Sequence, residues 1–290
     1  VRATFSCCLL GIACVGFAQT ADVRIKLDAT FSYRTESDGP TNLRLYGTDG
    51  RPSVLGLSFT LPDGFHGYVA EKLERITGDP DTSLLDQYYL EDPGLWRVGK
   101  QLIPFGLSRV VHETVLAARA DTNLIFQGLP VSVLVCDAGK GQQEGVDTRI
   151  GSRVGVSLFL GEDFGISSAS FTQIREPEAS PGVGRGYQTA IAVDGSRRFG
   201  KFELKGEVIN ASQGETRLDP DMNVADGTVS YIPSRNVTLT AGYTWVSPAG
   251  QQFLRFGGSL PITRGIDFEP WIRFRDNALW DISLQIRIRL

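Results

Sequence analysis

The chain has 290 residues and a formal charge of −4, with 33 glycines but one methionine, two histidines and four cysteines. Scarce histidine argues against metal or imidazole chemistry, and the acidic balance gives no reason to expect a nucleic-acid partner. Past the first segment no apolar run approaches the ~18 residues that a spanning helix needs, which excludes a helical membrane protein.

The first segment is VRATFSCCLLGIACVGFAQT. One basic residue, Arg2, precedes an apolar run from Cys7 to Phe17, and Gly16-Phe17-Ala18 offers small residues where a signal peptidase reads. This predicts a secretory signal over 1–18, cut after Ala18, and leaves 19–290 as the mature domain. Cys7, Cys8 and Cys14 depart with it, so the mature chain keeps Cys136 alone and no internal disulfide is expected.

From there, period two dominates. In ADVRIKLDATFSYRT, Val23, Ile25, Leu27, Ala29, Phe31 and Tyr33 share one face, and Arg24, Lys26, Asp28, Thr30, Ser32 and Arg34 the other. The same alternation places Ile150, Val154, Val156, Leu158 and Leu160 opposite Arg149 and Arg153, and groups Val237, Leu239, Ala241, Tyr243 and Trp245. Ile266, Phe268, Ile272 and Phe274 repeat it, and no helix-period segment of comparable length competes. Fifteen strands are expected, near 22–35, 53–61, 65–75, 84–91, 95–103, 124–136, 148–160, 163–174, 186–194, 199–210, 222–232, 236–246, 251–260, 266–275 and 279–290. They run about ten residues, the length a tilted membrane strand requires rather than the five or six of a globular one.

Tight turns are expected at Pro62-Asp63-Gly64, Gly161-Glu162, Asp194-Gly195-Ser196, Pro233-Ser234 and Pro261-Ile262-Thr263-Arg264. Long polar loops such as REPEASPGVGRG and ASQGETRLDPD alternate with them. The expected class is therefore all-β, a transmembrane antiparallel up-and-down β-barrel. Because lipid forbids an open sheet edge, the barrel must close. Single-chain bacterial barrels have even strand numbers, and the turns fall out of phase around 104–123. A further strand near Leu107–Leu116 makes sixteen; fourteen is the alternative. A soluble β-sandwich is the rival fold, with shorter strands and exposed faces rich in Lys, Glu, Ser and Thr. Aromatics near strand ends, Phe31, Tyr33, Tyr243, Trp245 and Trp280, instead fit interfacial girdles.

In such a barrel the polar face lines the lumen. By parity the inward cations are Arg24, Lys26, Arg34, Arg97, Arg149, Arg153, Lys201, Lys205, Arg255, Arg273, Arg275, Arg287 and Arg289. The inward acids are fewer: Asp28, Glu203, Glu207, Asp267, Glu269 and Asp281. One reading makes Arg24, Lys26, Arg97, Arg149, Arg153, Arg255, Arg273, Arg275, Arg287 and Arg289 an anion-attracting lining, since a low-dielectric wall focuses their field. The other has these charges pair across strands and keep the lumen wet.

The segment 95–130 differs from the rest. Its strand breaks at Pro104-Phe105-Gly106, because Pro cannot donate to a ladder, and a partly apolar stretch with His112 and Glu113 follows. Long loops in compact folds usually serve a function, and folding inward to narrow the pore is the expected one here. WRVGKQLIPFGLSRVVHET, followed by NLIFQGLPVSV, resembles the phosphate-selective porin O and P superfamily through Gly99, Pro104, Phe105, Gly106 and Gly128. The resemblance implies a sixteen-stranded barrel, usually trimeric, with an inward loop after Pro-Phe-Gly. Ser108 replaces the family's Glu and Leu290 its terminal Phe, and with no dense Arg ladder phosphate specificity does not follow.

Catalysis has little to stand on. Ser108 and His112 lie four apart in a loop, with no G-x-S-x-G elbow. His66 and Cys136 have no metal-ligand spacing, and the Gly-rich 139–145 and 182–186 lack phosphate-binding form. The chain is thus expected to be no enzyme, to hold no cofactor, and to act as an outer-membrane porin for passive diffusion of small hydrophilic or anionic solutes. Its expected partners are outer-membrane lipid, the barrel-assembly machinery and two further copies of itself. A non-conducting or lipid-hydrolysing barrel is the alternative. The tail ALWDISLQIRIRL is expected to pair with the first strand, with Trp280 at an interface, Ile282 to Leu290 facing lipid, and Arg287 and Arg289 inward near the periplasmic mouth. It resembles the signal read by barrel-insertion machinery.

Overall fold

The computed structural model describes residues 22–36, 41–47, 52–74, 83–102, 105–107, 114–122, 131–137, 148–158, 162–171, 187–213, 222–247 and 250–290. Over 36, 121–122, 131–137, 148–158, most of 162–171, 187–189 and 212–213 the description is of backbone. The expected signal, 1–18, lies outside the described residues.

The described elements are all strands. The first are β1 (Asp22–Glu36), β2 (Asn42–Arg44), β3 (Val54–Thr60), β4 (His66–Lys72), β5 (Leu85–Asp92) and β6 (Trp96–Leu102). Next come β7 (Thr114–Thr122), β8 (Val131–Asp137), β9 (Thr148–Leu158), β10 (Glu162–Phe171), β11 (Tyr187–Phe199) and β12 (Phe202–Gln213). The last are β13 (Met222–Ser234), β14 (Val237–Ser247), β15 (Gln251–Thr263), β16 (Ile266–Arg275) and β17 (Ala278–Arg289).

From β3 onward each strand pairs antiparallel with the next. The last strand then pairs with the first, from Asp28 opposite Arg289 to Glu36 opposite Asp281. The other edge of β1 takes β3 at its lower half and β2 at its upper half. β2 and β3 are thus one stave, interrupted where Tyr46 bridges Pro52. Among the described residues this makes sixteen staves in a sheet that closes on itself, the only sheet arrangement that leaves no backbone groups bare to lipid.

The start of β1 at Asp22 and the end of β17 fall at one end of the barrel. The connections there are mostly short, at 61–65, 93–95, 159–161, 200–201, 235–236 and 264–265. Those at the opposite end include 73–84, 103–113, 138–147, 172–186 and 214–221.

Three local expectations need correction. The additional strand is Thr114–Thr122 rather than Leu107–Leu116. Its inward residues Val115 and Ala117 are apolar and buried, so no alternation in hydrophobicity marks it. Asp194-Gly195-Ser196 is not a turn but the middle of β11, with Asp194 buried against the lumen; the turn comes at Gly200-Lys201. Trp280 does not sit on the outer face. Arg273 pairs with Asp281 and Phe274 with Leu279, so Trp280 is the extra residue of a β-bulge, which breaks the period-two rule.

Candidate functional site

The burial pattern inverts that of a water-soluble protein. On β17, Ile282, Leu284 and Ile286 are 43–46% exposed, whereas Asp281, Ser283 and Gln285 are at most 2% exposed. On β1, Phe31 and Tyr33 are exposed while Thr30 and Ser32 are buried. Exposed apolar side chains recur on β11–β15, at Val193, Val208, Val229, Leu239, Tyr243 and Phe256. The sheet's inner surface is polar and its outer surface apolar, as hydrocarbon outside and water inside require. Outward aromatics gather near the short-turn end: Phe65 against Trp96 at 5.6 Å and Phe202 against Tyr231 at 5.0 Å between ring centroids.

Among the described residues the inward charges are largely paired. Arg287 binds Asp28 across the closing seam at 2.6 Å, and Arg289 binds Asp267. Arg97 takes Glu91 at 2.6 Å and lies 4.0 Å over the Tyr89 ring. Lys205 meets Glu203 at 2.8 Å. Arg255 reaches past β14 to Asp226 on β13 at 2.7 Å, donating also to Thr244. Gly242 makes this reach possible: a Cβ there would collide with the Arg255 side chain. Higher on the wall, Arg34 and Arg273 share Asp281, and both guanidiniums lie over Trp280, at 5.1 and 4.4 Å. The bulge turns Trp280 inward, where it also meets Phe253 edge-on at 5.7 Å.

One sector of the inner wall is apolar. Ala190, Ala192, Ile209, Ala211, Met222 and Val224 are buried there, and Phe105, 1% exposed, belongs to the same buried cluster. Phe105 belongs to the connection between β6 and β7, so residues 105–107 of that connection lie inside the barrel, seated against β11–β13. The Leu107 N–H donates to Glu207 Oε2 at 3.0 Å, across 100 residues of sequence. Gly106 lies between with φ of 53°, and a Cβ on it would fall on the same carboxylate. Glu207 is 2% exposed, so the lumen-side carboxylate and the apolar sector together form a receptor for the loop tip.

The other residues singled out in sequence fall as follows. Arg24 pairs with Asp22 at the short-turn mouth, 2.6 Å apart and exposed. Lys26 stands over Tyr68, 5.6 Å from its ring centroid. Arg275 approaches Asp276 at 3.8 Å. Arg149 and Arg153 lie on β9, opposite Cys136 and Ser132 of β8, with backbone alone described. Pro104, His112 and Glu113 lie outside the described residues. Sequence reasoning passed over Asp226, which is preceded on its face by Met222 and Val224, and the role of Glu207 as the loop's anchor.

A closed sixteen-stave sheet, polar within and apolar without, with a loop turned inward after the fifth stave, is the fold of the outer-membrane porins. The solved structures it resembles bear this out. OmpT of Vibrio cholerae in its trimer form aligns with a TM-score of 0.68 at 10% identity, over 94% of this chain and 100% of that one. The outer-membrane channel DcaP of Acinetobacter baumannii aligns at 0.65 and 12%, over 93% and 98%. An anion-selective porin from Comamonas acidovorans aligns at 0.64 and 13%, over 93% and 99%. No family model matches the chain, and no curated protein matches its sequence.

Proposed function

We propose that this chain is an outer-membrane porin, a water-filled channel for passive diffusion of small hydrophilic solutes. The observation that carries the reading is the inverted burial: charged and hydroxyl side chains line the inside of a closed sheet whose outside is apolar. The seating of Phe105 on β11–β13 supports it further, because a loop held to one wall narrows a lumen without filling it. On this reading the chain is exported by its leader, inserted by the barrel-assembly machinery and assembled as a homotrimer in the outer membrane. It performs no covalent chemistry.

Selectivity for anions is proposed as weak. Lys26 stands at the short-turn mouth in favour of it, while the ion pairs of Arg24, Arg97, Arg255, Arg273, Arg287 and Arg289 cancel much of the field their charges would project. Kinship with the phosphate-selective porins rests on the Gly99 and Pro104-Phe105-Gly106 stretch and is proposed at that level only.

Planar-bilayer recording of the refolded protein tests the reading. Stepwise conductance is expected, with a reversal potential in a salt gradient displaced modestly toward chloride. Absence of steps, with hydrolysis of a short-chain ester, would replace the channel by an enzyme. Absence of both would leave the non-conducting barrel, which the ion-paired wall and apolar inner sector also suit.

A further inference from the structure

The wall away from the loop's seat carries a feature that diffusion alone does not require. Two recesses open on the lumen side near the short-turn mouth, and Lys26 and Tyr68 line both. The larger, about 660 Å³, adds Ser58, Thr60, His66 and Tyr89. Its volume matches the pockets that take small organic ligands.

Within it, cationic groups and flat groups adjoin. Tyr68 and Tyr89 are cross-strand neighbours on β4 and β5, 5.5 Å between ring centroids. The rings are tilted by 44° to one another, and Tyr89 is held in turn by Arg97, outside the lining, which lies over its ring and is fixed by two hydrogen bonds, at 2.8 and 2.6 Å, to Glu91 of the lining. Lys26 stands at its edge. Unlike Arg24 and Arg97, which have carboxylate partners, Lys26 has the face of Tyr68 as its partner. A ring face is a weaker claim on an ammonium than a carboxylate, so this cation remains available to an incoming anion.

We propose that this recess is a solute subsite for a small monocarboxylate borne on a flat ring, with the carboxylate on Lys26 and the ring against the Tyr68–Tyr89 pair. Charge alone would draw any anion; the aromatic surface adds a stacking term that chloride and acetate cannot use. The inference rests on the porin reading for its role in transport but not for binding itself, and the experiment separates the two.

The probe is benzoate, with acetate and cyclohexanecarboxylate as controls for charge and shape. Saturation-transfer NMR on the detergent-refolded barrel reads binding without conduction, and bilayer recording reads current blockade by the same three anions. Benzoate is expected to bind and to block at concentrations about ten-fold below acetate, with cyclohexanecarboxylate between them. Lys26→Gln is expected to weaken benzoate about five- to ten-fold, as loss of a charge-assisted contact does. Tyr68→Leu is expected to remove the preference over cyclohexanecarboxylate while retaining some blockade. Equal binding of benzoate and acetate to the unmodified protein overturns the subsite, whatever the variants do. Benzoate binding without conductance steps keeps the subsite and overturns the porin reading.

Discussion

Several single residues govern the lumen through what they permit others to do. Gly242 gives the Arg255 side chain its path to Asp226. With side chains 7% and 2% exposed, this pair is more buried than most charges in the wall, and removing one partner strands the other. Arg255→Ala is expected to cost on the order of 3 kcal/mol, read as a lower unfolding midpoint in urea. Gly242→Leu should approach the same loss, since a side chain there displaces the guanidinium. Gly106 acts similarly at the loop tip. Gly106→Val meets both a positive φ and the Glu207 carboxylate, so it should unseat the tip and raise open-channel current noise in bilayer recordings.

At the scale of elements, the last strand shows how one inserted residue is accommodated. Trp280 is extra to the β16–β17 ladder, so its deletion leaves Arg273 opposite Asp281 and Phe274 opposite Leu279. Deleting Ile282 instead shifts every partner on one side of the cut, which turns apolar residues inward. The expected result is that the Trp280 deletion keeps the heat-modifiable gel mobility of a folded barrel and the Ile282 deletion loses it. The two faces of the same strand also differ in tolerance. Leu284→Arg puts a charge among outward residues and should destabilise by about 2–4 kcal/mol if it meets the membrane midplane, whereas Gln285→Arg faces the lumen and should be borne more easily. Folding into vesicles against urea compares them.

For the molecule as a whole, the loop between β6 and β7 joins distant parts of the chain. Its Phe105 lies among residues from β11, β12 and β13, and the Leu107–Glu207 hydrogen bond closes a separation of 100 residues. Little in the local pattern foretold the seat: Ile209, Ala211, Met222 and Val224 interrupt the inner polar face, and only their common position reveals them as one surface. Glu207→Ala is expected to leave the closed sheet intact by circular dichroism while loosening the tip, with the same rise in current noise as Gly106→Val.

The strand faces, the class of fold and the need for a sixteenth stave were written in the sequence by itself, because side chains in a strand alternate with period two and lipid tolerates no open edge. So was the pairing of the last strand with the first. Only the tertiary structure decided which charges meet, since Arg255 and Asp226 lie two staves apart and Arg34 finds Asp281 across the closing seam. It likewise decided where the inward loop rests and which way Trp280 points. Alternation along a strand carries the sign of a face; it carries neither the register between strands nor a contact made across the lumen.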